Sequence, residues 1–162
     1  LDDYSRYIIH WKLCSTMKSE DVQQTIDEAL LKTELSFVPR LLSDNGSCYI
    51  SNDLKEYLND IEMDHVRGAP AHPQTQGKIE RYHRTMKNVI KLDNYFSPGQ
   101  LEQSMNSFVE YYNHQRYHES IRNMTPADVF YGRAERILNR RKRVKTKTLR
   151  DRKKQNQKLN VN

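Results

Sequence analysis

The chain has 162 residues, 36% of them hydrophobic and 30% charged, enough for about one domain around one core. No apolar run approaches the roughly 20 residues of a membrane span, and no basic flank with an apolar block opens the chain, so a membrane-embedded protein is excluded and an exported one is not expected. The net charge of +6 is unevenly held: residues 1–132 carry 14 Lys and Arg against 19 Asp and Glu, whereas residues 133–162 carry 13 against 2.

In chain order, Asp3-Tyr4-Ser5-Arg6 reads as a turn, with Leu1-Asp2 as the end of a preceding antiparallel strand. Tyr7 to Leu13 alternates Tyr7, Ile9, Trp11 and Leu13 with Ile8, His10 and Lys12, the pattern of a half-buried strand. The chain thus reads as starting within a hairpin of a longer reading frame. Cys14 and Cys48 lack a CxxC spacing and read as reduced thiols of a cytoplasmic protein. Ser19 offers an N-cap for a helix whose Val22, Ile26, Ala29 and Leu30 form one buried stripe. Arg40 to Ser43 reads as a short strand that delivers Asp44 into the Asp44-Asn45-Gly46 turn. A second helix starts at Ser51 or Asn52, with Leu54, Tyr57, Leu58 and Ile61 inward, and Met63 to Arg67 returns as a strand. Strands and helices in this alternation predict a mixed α/β sheet with helices packed against it.

Residues 70–77 are rich in Pro, Gln and Gly and form a loop, after which Ile79, Met86 and Ile90 recur at helical spacing. Glu80 then lies in the first turn of a helix. A third long helix starts at Ser97-Pro98, with Pro98 at N1, and buries Leu101, Met105, Phe108 and Tyr112. Thr125-Pro126-Ala127-Asp128 is a capping box that opens a short helix stopped at Gly132. The residues after Gly132 form a basic arm, helical at first and disordered later.

Asp44 and Glu80 are separated by 35 residues, room for the chain to return and bring two carboxylates to one divalent cation. From Glu80, the positions i+4, i+7 and i+11 hold Arg84, Lys87 and Lys91, an acid followed by three cations on one face. That face can hold a metal and grip phosphates, or it can be a solvated surface with a Glu80–Arg84 pair worth about 0.3 kcal/mol. Asp-Asn-Gly is likewise a common turn as well as a candidate site. The pairs His72 with His83 and His114 with His118 lack the partners of a zinc site. Tyr111, Tyr112 and Tyr117 read as packing residues rather than base-stacking platforms.

Three strings in order resemble the integrase core of bacterial insertion-sequence transposases, a superfamily shared with retroviral integrases. They are Leu42-Ser43-Asp44-Asn45-Gly46-Ser47, Pro70 to Arg81, and Tyr112-Asn113 through Arg116-Tyr117-His118 to Thr125-Pro126-Ala127. The resemblance covers residues 1 to about 132, an N-terminally truncated catalytic core, and leaves 133–162 as a basic C-terminal arm. It implies a ribonuclease-H-like α/β fold lacking its first strand, metal-dependent DNA cleavage and strand transfer, and two Mg²⁺ or Mn²⁺ ions held by two Asp and one Glu. Asp44 matches the second acid and Glu80 the third. Lys87 matches a basic position used against DNA, with Asn45, Gln76, Lys78, Arg84 and Lys91 as further DNA contacts. The first Asp has no counterpart here, Asp2 and Asp3 falling where the family has a noncatalytic acid, so the resemblance implies that this chain alone is inactive. It also implies DNA as partner, a homo-oligomer on paired DNA ends, and a nucleoid-associated cytoplasmic location. The alternative is a non-enzymatic remnant that binds DNA through its basic arm, as a truncated partner of an intact transposase.

Overall fold

Short capping signals and apolar stripes set most of the elements of the computed structural model, which describes residues 1–33, 37–68 and 77–159, the last two by backbone alone. Helix α1 (Ser19–Leu31) begins one residue earlier than its polar sequence suggests. Lys18 is the N-cap, its N–H held by the Asp21 carboxylate at 3.1 Å, and Ser19 is buried inside the first turn. Strand β1 (Leu41–Ser43) leads through a short helix α2 (Ser47–Ile50) into α3 (Asn52–Asp60), where Ser51 caps by accepting the Leu54 N–H at 3.3 Å. Strand β2 (His65–Arg67) returns parallel to β1, pairing Leu41 with His65 and Ser43 with Arg67. Parallel neighbours need a crossover, and α2 and α3 supply it.

Helices α4 (Gly77–Ile90) and α5 (Pro98–His114) follow, the latter capped by Ser97 with Pro98 at its start. A 3-10 turn (Glu119–Ile121), α6 (Pro126–Phe130) with the Thr125–Asp128 capping box, and α7 (Ala134–Leu159) complete the chain. Gly132 ends α6 at φ +69°, a left-handed conformation that a Cβ would disfavour. The 26 residues of α7 correct the expectation of a disordered distal arm: helix is continuous to Leu159.

Two clusters hold these elements. In one, α1 and α3 bury Ile26, Leu54 and Leu58 with Met63, and Leu41 of β1 packs against them. Leu54 and Leu58 are 0% and 2% exposed, each contributing about 2 kcal/mol of apolar burial. In the other, Ile8, Tyr82, Phe108 and Tyr112 join the N-terminal segment to α4 and α5. Tyr82 is the residue that the helical spacing of Ile79, Met86 and Ile90 left unnamed. Of the three tyrosines expected to pack, only Tyr112 is buried; Tyr111 and Tyr117 are 48% and 67% exposed. His118 packs edge-on against Tyr112 at 4.8 Å, and burial pushes its pKa down to about 4.

The Asp3–Arg6 turn is present, closed by Asp2 N–H to Tyr7 O at 2.7 Å and Arg6 N–H to Asp2 O at 2.9 Å. Tyr7 to Leu13 runs without a strand ladder among the described residues, which corrects the expected strand. The buried Asn113 side chain of α5 takes the ladder's place at Ile8: its Oδ1 accepts the Ile8 N–H at 2.9 Å and its amide donates to the Ile8 carbonyl at 3.0 Å.

Candidate metal and nucleic-acid site

The end of β1 places Asp44. Gly68, just beyond β2, donates its N–H to the Ser43 carbonyl at 2.9 Å, and its own carbonyl accepts the Asn45 amide at 2.9 Å. Asp44 is held between these two tethers, outside the C-terminal end of a parallel strand, where α/β sheets bind their ligands. Its Oδ1 accepts the Gly46 N–H at 2.8 Å, which turns the carboxylate back over the loop. Asn45 therefore spends its amide on the fold, a role that Asp-Asn-Gly alone did not disclose.

A Cβ on Gly46 would lie 2.9 Å from Asp44 Oδ1, closer than real contacts allow. The Gly46 backbone, at φ −57° and ψ 151°, accepts any residue, so the conflict is with the carboxylate alone. Gly46→Ala is expected to cost under about 1 kcal/mol in thermal unfolding while turning Asp44 away and weakening Mn²⁺ binding roughly 10-fold. Equal Mn²⁺ titrations for the two proteins would refute that positioning role.

Helix α4 presents the second acid. Glu80 is exposed in the first turn, and Glu80, His83, Arg84, Lys87, Asn88 and Lys91 line one shallow groove of about 430 Å³. The expected face of one acid and three cations is thus assembled on α4. His83, one turn past Glu80, was singled out in the sequence only as a zinc candidate, although its i+3 spacing already puts it on this face. Burial and the nearby Lys87 lower the His83 pKa, whereas the Asp44 carboxylate opposes that shift. Asp44 is therefore within electrostatic reach of the α4 groove.

The other expected site residues separate. Lys78 turns from the groove to pair with the Asp3 carboxylate and to donate to the Asp3 carbonyl at 3.1 Å. Asp2 is occupied by the turn, accepting the Ser5 N–H at 2.7 Å. Gln76, with His72 and the rest of the Pro70 loop, lies outside the described residues.

Asp44 and Glu80 suit a hard cation: two exposed carboxylates on separate elements, with room for water and phosphate oxygens. Mg²⁺ typically takes one or two carboxylates and leaves its remaining positions to water and substrate phosphate, and Asp44 and Glu80 are ligands of that chemistry. Among the described residues no group of three His, Cys, Asp or Glu side chains is arranged to hold a metal ion.

Two family models, both described as integrase core domain, match residues 1–73 and 61–126. The Pol-related polyprotein of mouse intracisternal A-particle MIA14 is 34% identical over 77 residues, 47% of this chain and 9% of that protein. This chain spans less than a tenth of the length of the relatives it matches. The catalytic core domain of BIV integrase superposes with a TM-score of 0.61 at 19% identity, over 83% of this chain and 84% of that one. The HTLV-2 integrase catalytic core domain, in complex with magnesium and in a trimeric form, gives 0.60 at 19% identity over 79% of both chains. The fold is therefore that of the retroviral integrase catalytic cores, ribonuclease-H-like. Between them the two integrase core domain models match residues 1–126, the part of the chain that holds Asp44 and Glu80.

Proposed function

We propose that this chain is the catalytic core of a DNA strand transferase that cleaves a DNA strand and joins the resulting 3′-hydroxyl to a second phosphodiester with the help of a divalent metal. The observation that carries this reading is the α4 groove in which Glu80 lies beside Arg84, Lys87 and Lys91, with the Asp44 carboxylate near enough to oppose the lowering of the His83 pKa. Asp44 and Glu80 would hold the ion from two sides, and Arg84, Lys87 and Lys91 would bind the phosphates along α4. Bound there, Mg²⁺ or Mn²⁺ would neutralise charge on the scissile phosphoryl group and favour a deprotonated water or 3′-hydroxyl. The chain's own residues position the DNA backbone and exclude misaligned phosphates, the main protein contribution to phosphoryl transfer.

The order of the Asp-Asn-Gly, Pro-Gln-Thr-Gln-Gly and Tyr-Asn strings supports insertion-sequence transposition as the setting, with a homo-oligomer on paired ends at the nucleoid. With one acid of the family's three unmatched, activity is expected to require an Asp-bearing strand in addition to these residues. A second reading, a non-enzymatic DNA-binding partner of an intact transposase, is favoured by the 12 basic and 2 acidic residues of α7.

Joining of a labelled duplex end into a supercoiled plasmid separates the two. The chain carrying an Asp-bearing strand fused ahead of Leu1 should join the strand in Mn²⁺, and Glu80→Gln in that background should lower the rate at least about 100-fold. DNA binding without joining in the fused chain would support the second reading, and joining undiminished by Glu80→Gln would refute the site.

A further inference from the structure

Among the described residues, the contacts that anchor helix α7 lie at its root. Ala134 and Leu138 line a cleft of about 470 Å³ with Arg6, Lys78 and Arg122, which shares no residue with the Glu80 groove. The Arg141 guanidinium donates to the carbonyls of Arg122 and Asn123, each at 2.7 Å. Those two residues lie at φ +60° and +53°, so a left-handed turn offers both carbonyls to one planar fork. From Lys142 to Gln157 every side chain is exposed except the half-buried Asp151. The exposed stretch is about 24 Å long.

Its charges are ordered. At about 100° per residue, Arg140, Arg143, Lys147, Arg150 and Lys154 fall within one stripe roughly 80° wide. Successive cations are about 5 Å apart along the axis, comparable with the one phosphate per roughly 3.4 Å of each DNA strand. A helix built only for solvent would interleave acids at i+4, yet Asp151 is the one acid after Glu135. Like charges so placed repel one another and are relieved by a polyanion. A lipid surface fits poorly, because the apolar side chains exposed beyond the root, Val144 and Leu149, make no continuous apolar face.

We propose that this stripe is a docking rail for the phosphate backbone of double-stranded DNA, held at a set angle to the core by Arg141. The proposal rests on the reading of the chain as a DNA-acting core and adds a second duplex contact, separate from the α4 groove.

Binding of a duplex of about 30 base pairs to the full chain, followed by fluorescence anisotropy in EDTA from about 50 to about 200 mM KCl, tests it. Gln replaces the five stripe cations in one variant (R140Q, R143Q, K147Q, R150Q, K154Q) and four off-stripe cations in another (K142Q, K145Q, R152Q, K153Q). Gln is a good helix former, and far-ultraviolet circular dichroism verifies that α7 persists. The stripe variant should lower the slope of log affinity against log salt by about 4 and the affinity at least about 100-fold, while the off-stripe variant lowers the slope by less than about 1. Equal loss per charge in the two variants, no loss in the stripe variant, or displacement of the duplex by vesicles of about one-third anionic lipid at equal phosphate would overturn it. Since EDTA removes metal chemistry, this outcome is independent of whether strand joining is observed.

Discussion

Asp44→Asn is expected to remove divalent-metal binding and, with it, strand joining, while leaving the fold and the affinity for DNA almost unchanged. The Asn side-chain oxygen can still accept the Gly46 N–H that Asp44 Oδ1 now accepts at 2.8 Å, and the tethers from Gly68 to Ser43 and Asn45 do not involve the carboxylate. Stability should therefore change by under about 1 kcal/mol. The lost negative charge is a different matter, because Asp44 is one of the two carboxylates proposed to hold the ion. Mn²⁺ affinity should fall at least about 10-fold, and joining by the strand-completed chain about 100- to 1,000-fold, the effect of losing a few kcal/mol of transition-state charge stabilisation. A metal-free readout tests the geometry itself. Asp44 raises the His83 pKa against burial and Lys87, so its neutralisation should shift the His83 titration further down, as followed by NMR. An unchanged Mn²⁺ titration would refute the metal role, and an unchanged His83 titration would refute the approach of Asp44 to α4.

What could be read before the structure follows from how local each signal is. Ser51, Ser97-Pro98 and Thr125 with Asp128 each cap through neighbours within four residues, and all three act as expected. Glu80, Arg84, Lys87 and Lys91 share a face because helical geometry alone requires it. Lys18 displaced Ser19 as N-cap because Asp21, bound also by the Thr16 hydroxyl, captures the Lys18 N–H. The unread roles depend on partners far along the chain. Asn45 reaches Gly68, Lys78 reaches Asp3, Arg141 reaches Arg122 and Asn123, and Asn113 reaches Ile8 across 105 positions. Each is a polar side chain satisfying a backbone group, and nothing in composition or periodicity distinguishes such a residue from a ligand contact. Asn45 and Lys78 were both expected on DNA for that reason, although the fold engages their donors.

Asn113 carries the largest expected effect on stability. Its amide is 3% exposed and supplies both hydrogen bonds that a neighbouring strand would otherwise give Ile8, one as acceptor and one as donor. Asn113→Leu keeps the branched shape, with somewhat more bulk, and orphans a buried N–H and a buried carbonyl, each at about 1–3 kcal/mol. The melting temperature should fall by about 5–15 °C. Asn113→Asp divides the two bonds: an ionised carboxylate still accepts the Ile8 N–H but meets the Ile8 carbonyl with a lone pair. Protonation restores the donor, so the folded-state pKa of that Asp lies above its unfolded value of about 3.9. A group with a raised folded pKa stabilises when protonated; Asn113→Asp should therefore recover stability relative to the wild type as pH falls through that raised value, and level off below about 4. Asn113→Leu should show no such recovery. Because Ile8 packs with Tyr82, the same loss would loosen the inner face of α4, and strand joining should weaken in both variants at neutral pH even though Asn113 touches neither Asp44 nor Glu80. Melting of Asn113→Leu within about 2 °C of the wild type would show that Ile8 is held by packing alone.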